Sequence, residues 1–181
     1  TGENVESTFL KLTEILIGKT QPNVYDSSST GYVAVGEGWG LYAESLGREL
    51  GMFADPWAWF GHLDMEMLRA VRLVVDTGLH AFGWNRDRAI AYMLANTSMA
   101  PRDVAVEIDR YIAQPGQACA YKIGELTFAR LRREAAAALG PKFDVRDFHE
   151  VCLDTGALPL AVLEAKVRDW IAAGGSRPDQ S

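Results

Sequence analysis

The chain has 181 residues, of which 48% are apolar and 23% charged, the composition of one globular domain with a sizeable core. Its formal net charge of −6 argues against nucleic acid or an anionic membrane as the main partner, since both need clustered positive charge. No apolar run approaches the roughly 18 residues of a membrane span, and Thr1 opens a polar start without a basic or apolar leader. A mature secreted chain and an excised fragment would both read this way, so the compartment stays open. The two cysteines, Cys119 and Cys152, lie far apart and read as free buried thiols.

The periodicity predicts an all-α chain. Residues 5–17 carry helical apolar spacing at Phe9, Leu12 and Ile15–Leu16. Residues 18–31 read as loop, with Pro22, Asn23 and the run Asp26-Ser27-Ser28-Ser29. Tyr32–Val35 has the make-up of one short strand. A helix is expected from near Gly36 to Glu49, with Gly51 past its end. Asp55 and Pro56 read as N-cap and first residue of a long helix reaching His80. Gly83 to Asn85 breaks the pattern, and helices over 86–96 and 101–113 follow. Pro115-Gly116 stops the second of these. A long helix from Gln117 to Gly140 and shorter ones near 145–153 and 158–173 complete the chain. This organisation is one helical domain over 1–181, with an N-terminal helix and loop (1–31), a core (32–173) and a frayed tail (174–181).

Two helices carry ionisable residues among apolar ones. Glu37, Leu41, Glu44 and Arg48 fall in one stripe of a helix that also holds Trp39, Tyr42 and Leu46. The commoner reading is a solvent face on which Glu44 pairs with Arg48. Against it stand glycines at 36, 38 and 40, each costing about 1 kcal/mol inside a helix. That cost points to close approach of another backbone, a ligand or an ion near Glu37. On the long helix, Arg69, Arg72, Asp76 and His80 share one face, surrounded by Leu68, Val71, Leu73, Val74, Val75 and Leu79. They read as a buried or cleft-lining polar stripe, which can supply its buried charges with partners internally, with an exposed salt-bridged face as the alternative. A third feature begins at the Pro115-Gly116 stop. Gln117 and Tyr121 follow one turn apart among small residues, where a tyrosine either packs with a satisfied hydroxyl or donates to an oxyanion.

Three histidines do not make a metal site on this pattern. His62 and His80 are 18 residues apart on one predicted helix, which separates them by about 27 Å. His149 has no partner at helical spacing, and there is no H-E-x-x-H, G-x-S-x-G, phosphate-binding loop or dinucleotide fingerprint.

The stretches GEGWGLYAESLGRELG (36–51), LRAVRLVVDTGLHAFGW (68–84), RYIAQPGQACAYKIGEL (110–126) and LGPKFDVRDFHEVCLDTGALPLAVLEAKV (139–167) carry a resemblance. They are similar, in order, to the C-terminal part of the bacterial domain-of-unknown-function family 885. That family resembles helical zinc peptidases of the gluzincin type, and its members are described as peptidases or lipoproteins. In it an upstream helix carries H-E-x-x-P-G-H-H, whose histidines resemble zinc ligands and whose glutamate resembles the water-activating base. The glutamate opening the E-G-W helix resembles the third ligand, which here is Glu37. The resemblance implies a supporting carboxylate at Glu44, substrate or oxyanion contacts from His80 and Tyr121, and cleft-lining roles for Arg72 and Gln117.

The histidine motif itself is not in this sequence. Laid without gaps on the motif helix, residues 2–12 put Gly2 on the first histidine, Glu3 on the glutamate and Thr8 on a later histidine. The expectation is therefore a peptidase-like domain giving one wall of a zinc hydrolase site, completed by an N-terminal peptidase half or a partner subunit and acting on a peptide-like substrate. On this reading zinc is bound only in the completed site. The alternatives are a metal-free binding or assembly module on the same scaffold, and a different acid–base chemistry of carboxylates with Tyr121 in the same cleft.

Overall fold

Asp55 and Pro56 start the longest helix as their types dictate. In the computed structural model, which describes residues 30–175, the Asp55 carboxylate accepts from the Trp57 and Ala58 amides. Two of the donors left over at a helix start are thereby paired, and Pro56 at the first position loses no bond. Seven α-helices form among the described residues: α1 Thr30–Glu49, α2 Pro56–Ala81, α3 Arg86–Asn96, α4 Pro101–Ala113, α5 Gln117–Leu139, α6 Val145–Leu153 and α7 Leu160–Ala172. One 3₁₀ turn, Gly140–Lys142, follows α5, and no strand occurs among the described residues. No described helix is long and apolar enough to cross a membrane.

Two boundaries depart from the sequence reading. Tyr32–Val35 is helix rather than strand, and α1 starts at Thr30 rather than near Gly36. Ala34 and Val35 are adjacent and both buried, which an alternating strand with one wet face does not give. Val35 and Tyr42, two turns apart, face the same core. At the other end α7 starts at Leu160 rather than Leu158, because Pro159 keeps the residue before it out of helical geometry. The predicted helix over 5–17 and residues 18–29 of the predicted loop lie outside the described residues, as do residues 176–181 of the tail.

The described helices form two compact units. The first comprises residues 51–119, with α2, α3, α4 and the opening of α5. Its core joins Leu68, Val71 and Val75 of α2 to Ala89 and Met93 of α3 and to Val104, Ile108 and Tyr111 of α4. Met93, Val104 and Ile108 are wholly buried, and each such side chain contributes roughly 1.5–3 kcal/mol of transfer free energy. The end of α2 is fastened by Trp84, whose amide donates to the Gly78 carbonyl at 2.9 Å and whose ring occupies the space a side chain at 78 would need.

The second unit comprises residues 30–50 and 120–175, with α1, most of α5, α6 and α7. Val35 and Tyr42, Phe128, Leu131 and Ala135, Phe148 and Cys152, and Leu163, Val167 and Trp170 form its core. Gly140, at φ +54°, stops α5, and Asp144 caps α6 through the Arg146 amide at 2.8 Å. Cys119 and Cys152 are buried thiols that form no disulfide.

Candidate functional site

In the second unit α1 and α5 touch at two glycines. A methyl group built on Gly38 would lie 2.3 Å from the Gly124 Cα. Only residues without a Cβ permit this approach, so the glycine cost anticipated near Glu37 is offset by a neighbouring backbone. Gly36 and Gly40 have nothing within 4 Å, and the contact does not account for them.

The crossing sets Glu37, one residue before Gly38, against Tyr121, three residues before Gly124. The Tyr121 hydroxyl donates to Glu37 Oε1 at 2.8 Å, and both side chains are half-buried. The bond fixes the carboxylate's orientation and leaves Oε2 outside it. Lys122 and Glu125, also on α5, form a buried ion pair at 2.5 Å. Leu41 is buried, whereas Glu44 and Arg48 are exposed. The α1 stripe is therefore wet at its C-terminal end, as a solvent face would be, and half-buried only at Glu37.

Arg72, His80 and Gln117 belong to the first unit. Arg72 is 7% and Asp76 2% exposed, so the α2 stripe is buried at its centre, and His80 is exposed at its end. The stripe's hydrogen bonds across helices run to α4 and the turn after it, while within the stripe the charge of His80 acts on Asp76. Arg72 Nε donates to the Tyr111 hydroxyl at 2.8 Å and Nη2 to Glu107 at 3.1 Å. The Tyr111 hydroxyl in turn donates to Glu107 at 2.6 Å, and Arg110 donates to the same carboxylate at 2.8 Å. Asp76 accepts from the Gly116 amide, and His80 Nε2 lies 3.0 Å from the Tyr111 carbonyl oxygen. Arg110 Nη1 donates to Gln117 Oε1 at 2.6 Å.

The electrostatics follow from this packing. Burial alone would raise the Glu107 carboxyl, but the hydrogen bonds from Arg110 and Tyr111 and the charges of Arg110 and Arg72 outweigh it and hold it down at about 2. Burial, helped by Glu107, raises the Tyr111 phenol above its ordinary range. Burial also raises the Asp76 carboxyl, against the Gly116 amide and the charge of His80.

The sequence reading passed over Glu107, Tyr111, Lys122 and Glu125. Lys-x-x-Glu on a helix looks like an ordinary surface pair, and the only hint of its burial is the row of small residues around it. It passed over one further contact, between the Tyr42 hydroxyl and His149 Nε2 at 2.9 Å, in a ring cluster with Trp39 and Phe128.

A zinc ion needs three or four donors. Each histidine has its own surroundings: His62 stacks on Phe53, His80 meets the Tyr111 carbonyl, and His149 meets Tyr42. Among the described residues no three His, Cys, Asp or Glu side chains are grouped to hold a metal. Glu37 is one donor, so the described residues alone do not fit a zinc ion. Gly2, Glu3 and Thr8 lie outside the described residues.

A family model described as "Bacterial protein of unknown function (DUF885)" matches residues 15–167. No curated protein matches the chain. Among solved structures the chain is similar to "the putative lipoprotein from Colwellia psychrerythraea", at 45% identity and a TM-score of 0.76. The match covers 92% of this chain and 27% of that one, so the chain spans about a quarter of that relative's length.

Proposed function

The chain belongs to the DUF885 family of bacterial proteins of unknown function, and on that footing we propose that it is a peptidase-like helical domain supplying one wall of a zinc hydrolase site. The rest of the site, including the histidine ligands, comes from another segment or chain. Glu37 is the metal-facing carboxylate, Glu44 a supporting one, and Tyr121 the donor toward a developing oxyanion. His80, Arg72 and Gln117 are the further substrate-side residues of this reading, and the substrate is peptide-like.

The observation that carries the reading is the hydrogen bond from Tyr121 to Glu37 at 2.8 Å. The resemblance names these two residues for neighbouring roles although they are 84 residues apart, and the fold joins them. A half-buried carboxylate with one oxygen held by a phenol is oriented for a cation on the other oxygen. The phenol's single O–H, given to Glu37 here, would serve a negatively charged oxygen by turning to it once a cation takes over the carboxylate. Zinc bound there would polarise a carbonyl and activate water.

The second reading, a metal-free binding or assembly module, draws on the apolar side chains exposed along the start of α2, with Trp57 at 79% and Phe60 at 62%. The experiment that separates the two is zinc titration of this chain alone and mixed with the separately produced remainder of the longer Colwellia psychrerythraea relative. The zinc reading expects one zinc per complex in the mixture, weakened by Glu37→Gln. Binding between the polypeptides with no zinc uptake supports the assembly module instead. Stoichiometric zinc on the lone chain overturns the shared-site reading.

A further inference from the structure

Residues 72, 76 and 80 stand one turn apart on α2, and all three reach the same stretch of chain, residues 107–116. Arg72 meets Glu107 and Tyr111 through their side chains. His80 meets the backbone carbonyl of Tyr111 at 3.0 Å. A carbonyl only accepts, so the imidazole nitrogen facing it carries the hydrogen. Asp76 takes the Gly116 amide on both carboxylate oxygens, at 3.0 and 3.2 Å.

The bonds of His80 and Asp76 meet needs created where the chain reverses, while Arg72 holds the last two turns of α4 beside it. α4 ends at Ala113, and the carbonyls of its last turn lose their helical partners. The Gln114 amide reaches the Arg110 and Tyr111 carbonyls at 3.0 and 3.2 Å, and His80 adds a second donor at Tyr111. Gly116 is buried, sits at φ +80°, and its amide precedes the first turn of α5. A buried amide must be paired, and the partner it has is Asp76. Pro115, next to it, brings no amide of its own. Beyond the turn, Gln117 gives its side-chain oxygen to Arg110. A guanidinium only donates, so the amide N–H groups of Gln117 are what it has for any other partner.

We propose that Asp76 is a positioning residue, flanked by Arg72 and His80, that clasps the Gln114–Gly116 reversal and so sets where α5 begins. This explains why a carboxylate is retained at 2% exposure although burial works against its charge. It assigns Arg72 and His80 a holding task that stands whether or not the zinc reading does.

The test is site-resolved amide exchange with Asp76→Ala and Asp76→Asn in the full chain. Asp76→Ala raises exchange at the Gly116 amide about tenfold beyond any change at the Val104 and Ile108 amides. Asp76→Asn, which keeps an acceptor oxygen, restores most of that protection. Unchanged exchange at Gly116, a rise spread evenly over α3 and α4, or no rescue by asparagine overturns the proposal. Should Asp76→Ala not fold, the unsubstituted chain decides: a scalar coupling across the hydrogen bond between Gly116 nitrogen and the Asp76 carboxyl carbon is expected, and its absence is fatal to the clasp.

Discussion

A side chain at Gly124 would lie 1.9 Å from the Ala34 carbonyl oxygen, and one at Gly38 would run into Gly124 itself. The approach of α1 to α5, and with it the Glu37–Tyr121 bond, depends on two absent methyl groups. Both obstacles are backbone, which does not step aside as a flexible side chain would. Gly124→Ala is therefore expected to cost about 3 kcal/mol or to prevent folding, beyond the common range for an overpacked site. Gly36 and Gly40 lie in the same helix with open space around them. Alanine there removes only backbone freedom from the unfolded chain and is expected to stabilise by about 0.5–1 kcal/mol. Urea denaturation of the three variants measures both signs.

The bond between Tyr121 and Glu37 should appear as a coupling. Tyr121→Phe and Glu37→Gln are each expected to cost about 1 kcal/mol of stability in the lone chain. The double variant should cost less than their sum, because each removes the same contact. Strictly additive losses in a double-mutant cycle would mean that the 2.8 Å contact contributes nothing, and the zinc reading would lose its main support.

Most helices were legible because proline, glycine and short polar residues mark their ends. Asp55-Pro56, Pro101, Pro115-Gly116 and Gly140 each stand at an observed boundary. The start of α1 was not legible, since Tyr32–Val35 carries strand-like residue types and its helical face is defined only by the core it meets. Partners distant in sequence were not legible either. The glycine run announced a close approach but could not say that Gly38 alone makes it, or that Gly124 is its partner. The α2 stripe announced buried charge, yet nothing in its own spacing pointed to Glu107 or Gly116. Periodicity reports which face is buried, and the identity of the facing group is a property of the tertiary fold.

Acid should weaken the first unit through Glu107. Its carboxyl is held at about 2 in the fold, against 4.5 for an unperturbed glutamate. A group with a depressed folded pKa contributes stability that is fully present above the unfolded value and lost as pH falls toward the folded one. The loss is therefore expected from about pH 4.5 downward. Asp76, whose carboxyl is raised by burial, acts in the opposite sense, so Glu107→Gln is needed to isolate the effect. That variant should be about 1.5–3 kcal/mol less stable than the parent at pH 7, with the gap narrowing below pH 4.5 and closing only as pH nears about 2. A gap that stays constant from pH 7 to pH 3 in urea denaturation would rule out this role.

A second window belongs to His149. Burial, and then the charge of Arg132, lower its pKa from 6.5, with Glu49 opposing. The unfolded chain thus binds a proton more readily than the folded one, and stability should decline as pH falls below about 6.5. His149→Gln removes the titrating group and should flatten the stability profile between pH 7 and 5, above the window of Glu107. An unchanged slope there would assign the loss to another group.

The start of α2 yields a prediction about partners. Trp57, Phe60, Leu63 and Met67 are all exposed, and at about 100° per residue Trp57, Phe60 and Met67 fall on the face that farther along buries Leu68, Val71 and Val75. The apolar face of the helix thus runs on beyond the part covered by α3 and α4. In the lone chain, Trp57→Ser and Phe60→Ser should change stability by no more than about 0.5 kcal/mol, because little is buried there. With the remainder of the longer relative present, the same changes should weaken association by about 2 kcal/mol each, as for aromatic anchors in an interface. Isothermal titration of that polypeptide against each variant measures the loss. Equal affinity for parent and variants would place the junction elsewhere on the surface, and a large loss of stability in the lone chain would mean that these side chains are packed within it.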